Sequence, residues 1–321
     1  DGDTLALIYT GHKFHGDPGN EANLYQVQCL ATSRDGIQFV RHGTVIDTPP
    51  GLHHFRDPKV WREGAWWYMV VGAREGDTGQ VRVYRSADLR EWQDRGVLAV
   101  AEKELGYMWE CPDFFTLNGK RVLMFSPQGL AADGFKHRNL FQSGYLVGEW
   151  QPGQPFMREG EFVEMDYGHD FYAPQSFLTP DGRRLVIGWL DMWESPLPEQ
   201  EDGWAGMLSL PRELTLSADN HLQMQPAREV ESLRGAWFPW PIGTLNNQQM
   251  TLVEHCDAME VILQWDCANS SAEQYGIRLG DGLRLYVDAQ MQRLVLERDY
   301  PQYGLCGTRS VALNLINALN L

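Results

Sequence analysis

Positive charge is scarce in this sequence. Its 27 Lys and Arg stand against 43 Asp and Glu, giving a formal charge of -16 over 321 residues. A nucleic-acid surface concentrates Lys and Arg on one face, so that partner class is excluded and neutral partners fit better. Long apolar runs are missing as well. None approaches the roughly 18 residues of a membrane-spanning helix, and no membrane partner is expected. The opening DGDTLALIYT has neither a basic leader region nor an initiating Met, so the chain reads as soluble with its true beginning upstream of Asp1. The five cysteines, Cys29, Cys111, Cys256, Cys267 and Cys306, are odd in number and show no Cys-x-x-Cys spacing. That excludes a disulfide framework and a zinc site and points to a reducing cytoplasm, although Asn269-Ser270-Ser271 is a formal glycosylation sequon. His53 and His54 lack partners at metal-ligand spacing, and neither a metal nor a cofactor is expected.

Apolar and aromatic residues are plentiful. The chain is 43% hydrophobic and 12% aromatic, with twelve Trp, enough for one large domain or two. An internal repeat organises it. Ser33-Arg34-Asp35 with Phe39 and Gly43 recurs as Ser86-Ala87-Asp88 with Trp92 and Gly96, at an offset of 53 residues. Asp57-Pro58 recurs in altered form as Glu110-Cys111-Pro112 and within Asp170-Phe171-Tyr172-Ala173-Pro174. Each proline leads into a strand, a Gly turn and a second apolar strand such as WWYMVV or RLVIGW. Units of 53 to 62 residues built of short strands and hairpins have the size of propeller blades.

In a propeller the innermost strands line a central channel, so the starts of equivalent strands converge. Asp57, Glu110 and Asp170 would then occupy equivalent positions in one funnel, where like charges raise each other's protonation cost. Glu110 lies in YMWECPDFF, and burial beside aromatics raises a carboxyl pKa, which suits a general acid. Asp57, paired with Arg56, is expected to stay ionised. Two carboxyls pushed apart in this way are what glycoside hydrolysis uses.

FRDPKVW at Phe55 to Trp61, WECPDFF at Trp109 to Phe115, YTG at Tyr9 to Gly11, GHDFYAPQSF at Gly168 to Phe177 and GWAGMLSLPREL at Gly203 to Leu214 together resemble glycoside hydrolase family 32. The resemblance runs along the entire chain and is closest to the bacterial sucrose and sucrose-6-phosphate hydrolases. It implies an all-β chain: a five-bladed β-propeller followed by a β-sandwich. It implies retaining cleavage of a β-fructofuranosyl bond, the invertase reaction, with sucrose or sucrose 6-phosphate as substrate. On that pattern Glu110 is the acid/base and Asp57 the transition-state stabiliser, while Arg56, Trp109, Asp170 and Tyr172 contact substrate. The family's nucleophile is the Asp of an Asn-Asp-Pro-Asn-Gly segment, which occurs nowhere in these 321 residues. The look-alike His15-Gly16-Asp17-Pro18-Gly19-Asn20 follows YTG and is not equivalent. The first blade is therefore expected to be largely missing, and the chain alone inactive.

The expected organisation is a propeller catalytic domain over 1–225, N-terminally incomplete, a helical connector over 226–235, and a sandwich over 236–321, C-terminally incomplete. MEVILQW, YGIRLGDGLRLYV and RLVLER supply its strands. Trp66, Trp67, Trp189, Trp193 and Trp204 read as blade core or as a sugar-stacking platform. A phosphate on the substrate would need cations at the rim, and Lys136-His137-Arg138 is the local candidate, with Arg138 as the contact. The alternative is a non-catalytic carbohydrate-binding propeller, which would not need both RDP and an acid inside WEC. Oligomeric state is not legible.

Overall fold

The chain folds almost entirely as antiparallel β-structure. The computed structural model describes residues 2–102, 105–240, 243–256, 258–266, 269–313 and 319–320; Cys267 and most of the tail after Leu313 lie outside this set. Four sheets follow one another in sequence order. The first is β1 (Leu5–Phe14), β2 (Leu24–Ser33) and β3 (Val40–Ile46). The second is β4 (His54–Glu63), β5 (Trp66–Glu75), β6 (Thr78–Ser86) and β7 (Trp92–Val100). The third is β8 (Met108–Leu117), β9 (Lys120–Gln128) and β10 (Gly144–Glu149), with β11 (Met157–Arg158) and β12 (Val163–Glu164) along β10. The fourth runs from β13 (Tyr172–Leu178) to β14 (Arg184–Leu190), which carries β15 (Met207–Leu208) and β16 (Arg212–Leu216), and ends on β17 (Leu222–Pro226).

These sheets pack face to face. Successive side chains of a strand point to opposite faces, so a strand apolar at every position can serve two cores at once. β5 does so: Met69, Val71 and Ala73 join Phe55 and Tyr84 on one side, while Tyr68 and Val70 join Trp109, Phe114 and Leu123 on the other. β9 divides likewise, Leu123 and Phe125 against the second sheet, Val122 and Met124 against the fourth. Close approach has a glycine requirement. A Cβ on Gly72 would lie 2.1 Å from the Trp109 carbonyl oxygen.

The Ser-x-Asp repeat is a matched pair of turns. Ser33 Oγ accepts from Gly36 N (2.9 Å) and Asp35 Oδ1 from Ile37 N (2.9 Å). Ser86 Oγ accepts from Leu89 N (2.9 Å) and Asp88 Oδ1 from Arg90 N (2.9 Å). Short polar side chains replace the ladder where the chain leaves a sheet.

A second repeat proves more consequential. β4, β8 and β13 each lose register at one place, between Arg56 and Lys59, between Glu110 and Asp113, and between Tyr172 and Gln175. At each, the residue before proline is non-glycine with positive φ: Asp57 (65°), Cys111 (49°) and Ala173 (50°). The bulges correct the expected alignment. Arg56, Glu110 and Tyr172 are equivalent, as are Asp57, Cys111 and Ala173, and Asp170 lies two residues before its equivalent position. Proline cannot donate to a ladder, so the ladder breaks at the proline rather than at the carboxylate.

After β17, the expected helical connector is a 3₁₀ segment, Arg228–Leu233. β18 (Gln264–Trp265) pairs with β23 (Leu319–Asn320), and β19 (Gln274–Leu279), β20 (Leu283–Asp288), β21 (Arg293–Tyr300) and β22 (Leu305–Ala312) form a four-stranded meander. Of MEVILQW only the last two residues are strand, because β23 offers partners to those alone.

A left-handed conformation costs a residue with a Cβ roughly 1–2 kcal/mol. Ala173→Gly should therefore leave urea-unfolding stability unchanged or raise it by up to about 1 kcal/mol, whereas Ala173→Val should lower it by about 1–3 kcal/mol. Equal losses for both would show that the bulge carries no strain.

Candidate active site

The three bulges place their side chains in a shared hydrogen-bonded layer. Glu110 is its centre. Arg56 donates to Glu110 Oε1 through Nε (2.8 Å) and Nη2 (2.7 Å). Glu110 Oε2 accepts from the Tyr172 hydroxyl (2.5 Å) and from Gln128 Nε2 (3.0 Å). Arg56 and Glu110 are both largely buried, with side-chain exposures of 16% and 14%. Behind Arg56 stand Gln26, whose Oε1 accepts from Phe55 N (2.8 Å), and His54, whose Nδ1 lies 2.9 Å from Arg56 Nη1. Burial, and then the Arg56 charge, pulls the His54 pKa down, which fits a neutral acceptor for that guanidinium.

Asp57 takes the next layer. Its Oδ2 accepts from Cys111 N (3.0 Å), a donor that the bulge in β8 releases from its ladder, and its own N–H donates to Thr10 Oγ1 (3.0 Å). Gln175 Nε2 donates to the Cys111 carbonyl (2.9 Å), joining β13 to the same layer. The expected Arg56–Asp57 pair is not what forms: Arg56 bonds Glu110, and Asp57 accepts from the Cys111 N–H. Burial pushes the Asp57 carboxyl up, and the Glu110 charge adds to it; the Cys111 N–H and Arg56 oppose. Burial also raises the Cys111 thiol well above its usual range, which makes it an inert neighbour.

Beneath lies a third layer. Lys59 Nζ bridges Asp113 Oδ2 (3.2 Å), Gln175 Oε1 (3.1 Å) and the Ser176 carbonyl (2.6 Å). Ser176 returns two bonds to Asp113 Oδ2, from N (2.7 Å) and Oγ (2.8 Å). One cation thus ties the first strands of three sheets. Gln128, Thr10, Lys59 and Asp113 all escaped the sequence reading. Lys59 and Asp113 stand inside the two quoted motifs, whereas Gln128 meets the site only because it lies across the ladder from Met108.

Three candidates lie elsewhere. Trp109 is fully buried; its indole stacks on Phe125 at 4.1 Å and donates to the Leu105 carbonyl (2.7 Å). Side chains alternate along β8, so Trp109 points into the core while Glu110 faces the layer, and the expected substrate contact by its ring is corrected to a packing role. Asp170 pairs with Arg298 of β21. Arg138 donates to the Gly134 (2.9 Å) and Thr308 (3.3 Å) carbonyls, facing the C-terminal sheet.

A raised carboxyl has a linkage consequence. Below the usual carboxylate pKa both states are protonated and folding loses nothing; as pH rises through the higher folded pKa, ionising Asp57 costs stability. Asp57→Asn keeps an acceptor for Cys111 N and removes that cost. Its melting temperature should exceed that of the parent chain at pH 7, with the gap closing as pH falls toward about 4. A lower melting temperature at pH 7 would contradict this.

Residues 1–226 match the glycosyl hydrolases family 32 N-terminal domain. The chain is 53% identical over 314 residues to the sucrose-6-phosphate hydrolase of Escherichia coli, covering 98% of this chain and 65% of that protein. It is 52% identical over 314 residues to the raffinose invertase of Escherichia coli, covering 98% of this chain and 66% of that protein. It thus spans just under two thirds of the length of these relatives. Among solved structures, the Bombyx mori GH32 beta-fructofuranosidase aligns over 100% of this chain and 68% of its own, with a TM-score of 0.81 and 32% identity. A family match over more than half the chain, with relatives above half identity along nearly all of it, places the protein in glycoside hydrolase family 32.

Proposed function

We propose that the complete protein is a retaining β-fructofuranosidase acting on sucrose or sucrose 6-phosphate, as the names of its relatives suggest. One observation carries it: Glu110, held by Arg56, Tyr172 and Gln128, adjoins Cys111, whose N–H bonds the half-buried Asp57. Glu110 would protonate the glycosidic oxygen as the bond breaks and later activate water. Asp57 would grip fructosyl hydroxyls and stabilise the positive charge that develops on the sugar. Tyr172 and Gln128 hold Glu110 on Oε2 while Arg56 holds Oε1, so the acid meets its substrate in one orientation.

The covalent step is assigned to a carboxylate outside the Asn-Asp-Pro-Asn-Gly-less sequence of this chain. A five-bladed propeller over 1–225 and a sandwich over 236–321, joined by 226–235, belong to the same proposal. Support comes from the first and fourth sheets, where Leu5, Leu7 and Tyr9 of the one and Phe177, Leu178 and Leu208 of the other expose apolar side chains that a further blade would cover. A cytoplasmic setting agrees with the free thiols of Cys29, Cys111, Cys256 and Cys306. Among the described residues no helix is long and apolar enough to cross a membrane.

Two assays test this. The 321-residue chain alone should hydrolyse sucrose negligibly while the longer parent turns it over; robust turnover by the short chain would overturn the assignment of the nucleophile. In the complete enzyme, Glu110→Gln should lower sucrose turnover by roughly 10²–10⁴, with much of the first step recovered on a fructoside whose leaving group needs no proton. The same deficit on every leaving group would deny Glu110 the acid role.

A further inference from the structure

We propose that the seam between the 134–139 loop and the C-terminal sheet is a phosphomonoester site, built from Arg138, Arg309 and His169, that receives a phosphate carried by the leaving hexose. The identity of the sugar rests on the function proposed above; the anion site does not.

Uncompensated cations mark the place. In a chain of charge -16, neither Arg138 nor Arg309 has a carboxylate partner among the described residues. Neutral oxygens hold them instead. Arg309 donates from Nε to Asn139 Oδ1 (2.8 Å), from Nη2 to the Arg138 carbonyl (3.0 Å) and from Nη1 to the Thr308 carbonyl (3.2 Å). Arg138 donates to the same Thr308 carbonyl, with its guanidinium 5.0 Å over the Phe135 ring. The two groups are thus fixed in direction with their charge unspent, the preorganisation a bound oxyanion needs. Burial, then the Arg298 and Arg138 charges, lowers the Arg309 pKa, a sign of like charges crowded together.

A third group points the same way. His169 is only 6% exposed, and its Nε2 has no partner among the described residues. Burial and the Arg298 and Arg309 charges drive its pKa down to about 3, against a hydrogen bond to the Leu296 backbone, so the ring is neutral. Gly307 shows how near the groups lie: a Cβ there would sit 3.5 Å from Arg309 Nη1 and 3.6 Å from His169 Cε1. Three acids share the neighbourhood, and the charges of Asp170 and Glu164 act on Arg309 from beyond contact distance, Asp170 being itself paired with Arg298. Asp166 pairs with Arg212 (2.7 Å), and Glu164 accepts from His137 N (3.0 Å).

The seam also lies on the correct side of the chemistry. A general acid delivers its proton to the leaving-group oxygen, so the departing hexose occupies the Glu110 side, beside Tyr172. Two residues before Tyr172 stands Asp170, which Arg298 ties to the C-terminal sheet, and His169 precedes it. The expected cation, Arg138, is thereby joined by one that no local motif announces: Arg309 is 171 residues further on.

Calorimetric titration of the 321-residue chain with glucose 6-phosphate, glucose and inorganic phosphate tests the site. Glucose 6-phosphate should bind about tenfold or more tightly than glucose, and Arg309→Gln and Arg138→Gln should each weaken it about tenfold, the worth of one charged hydrogen bond. Arg309→Lys should retain part of the affinity. Should Arg309→Gln fail to fold, Arg138→Gln, on an exposed side chain, decides alone. Glucose 6-phosphate binding that is absent, no tighter than that of glucose, or unaffected by these substitutions overturns the site. Inorganic phosphate binding as tightly as glucose 6-phosphate overturns the hexose assignment. Intact phosphate binding in a complete enzyme without fructosidase activity would instead sink only the proposed function.

Discussion

Three prolines break three ladders at the same height, and the candidate site depends on that coincidence. Each break gives the residue before proline a left-handed backbone and releases peptide groups that a continuous ladder would have consumed. The released groups bond sideways. Cys111 N meets Asp57, and the Cys111 carbonyl meets Gln175, so neighbouring sheets are joined through their first strands and not only through apolar faces. Immediately before the breaks, Arg56, Glu110 and Tyr172 hold equivalent positions and form one layer.

This arrangement is costly on its own terms. A left-handed non-glycine backbone is strained, and a buried carboxylate beside another is poorly solvated. Offsetting contributions are close at hand. The sheets meet through cores fed from both faces of β5 and β9, and the half-buried Lys59 pairs with the buried Asp113, whose Oδ2 also takes two bonds from Ser176 while Oδ1 has no partner among the described residues. Such a pair adds little net stability but fixes geometry, since removing either partner strands a charge. Strain and buried charge are thus concentrated around the hydrogen-bonded layer of Arg56, Glu110 and Tyr172, while packing elsewhere sustains the fold.

Much of this was legible in the residues. Period-two apolar strands, Gly turns and the Ser-x-Asp offset announce successive small sheets, and RDP with WEC singles out the two carboxyls that the structure brings together. What failed to show did so for physical reasons. The motif repeat aligned Asp57, Glu110 and Asp170 by charge, but the backbone aligns by the proline, and the three carboxyls stand one, two and four residues before it. Trp109 looked like a sugar contact because it adjoins Glu110, yet adjacent residues in a strand face opposite ways. Gln128, Arg298 and Arg309 reach their partners through sheet register and sheet packing, neither of which leaves a local mark in sequence.

Under the proposed function, the fold tolerates a strained, half-buried Asp57 because its charge acts on the fructosyl transition state. Steady-state kinetics of Asp57→Asn in the complete enzyme measures this most directly, using sucrose and a fructoside with an activated leaving group. Loss of a charge that acts mainly in the transition state predicts kcat lower by about 10²–10³ on both substrates, with KM little changed. A normal kcat with only a raised KM would contradict it, leaving Asp57 as a uniform binding contact.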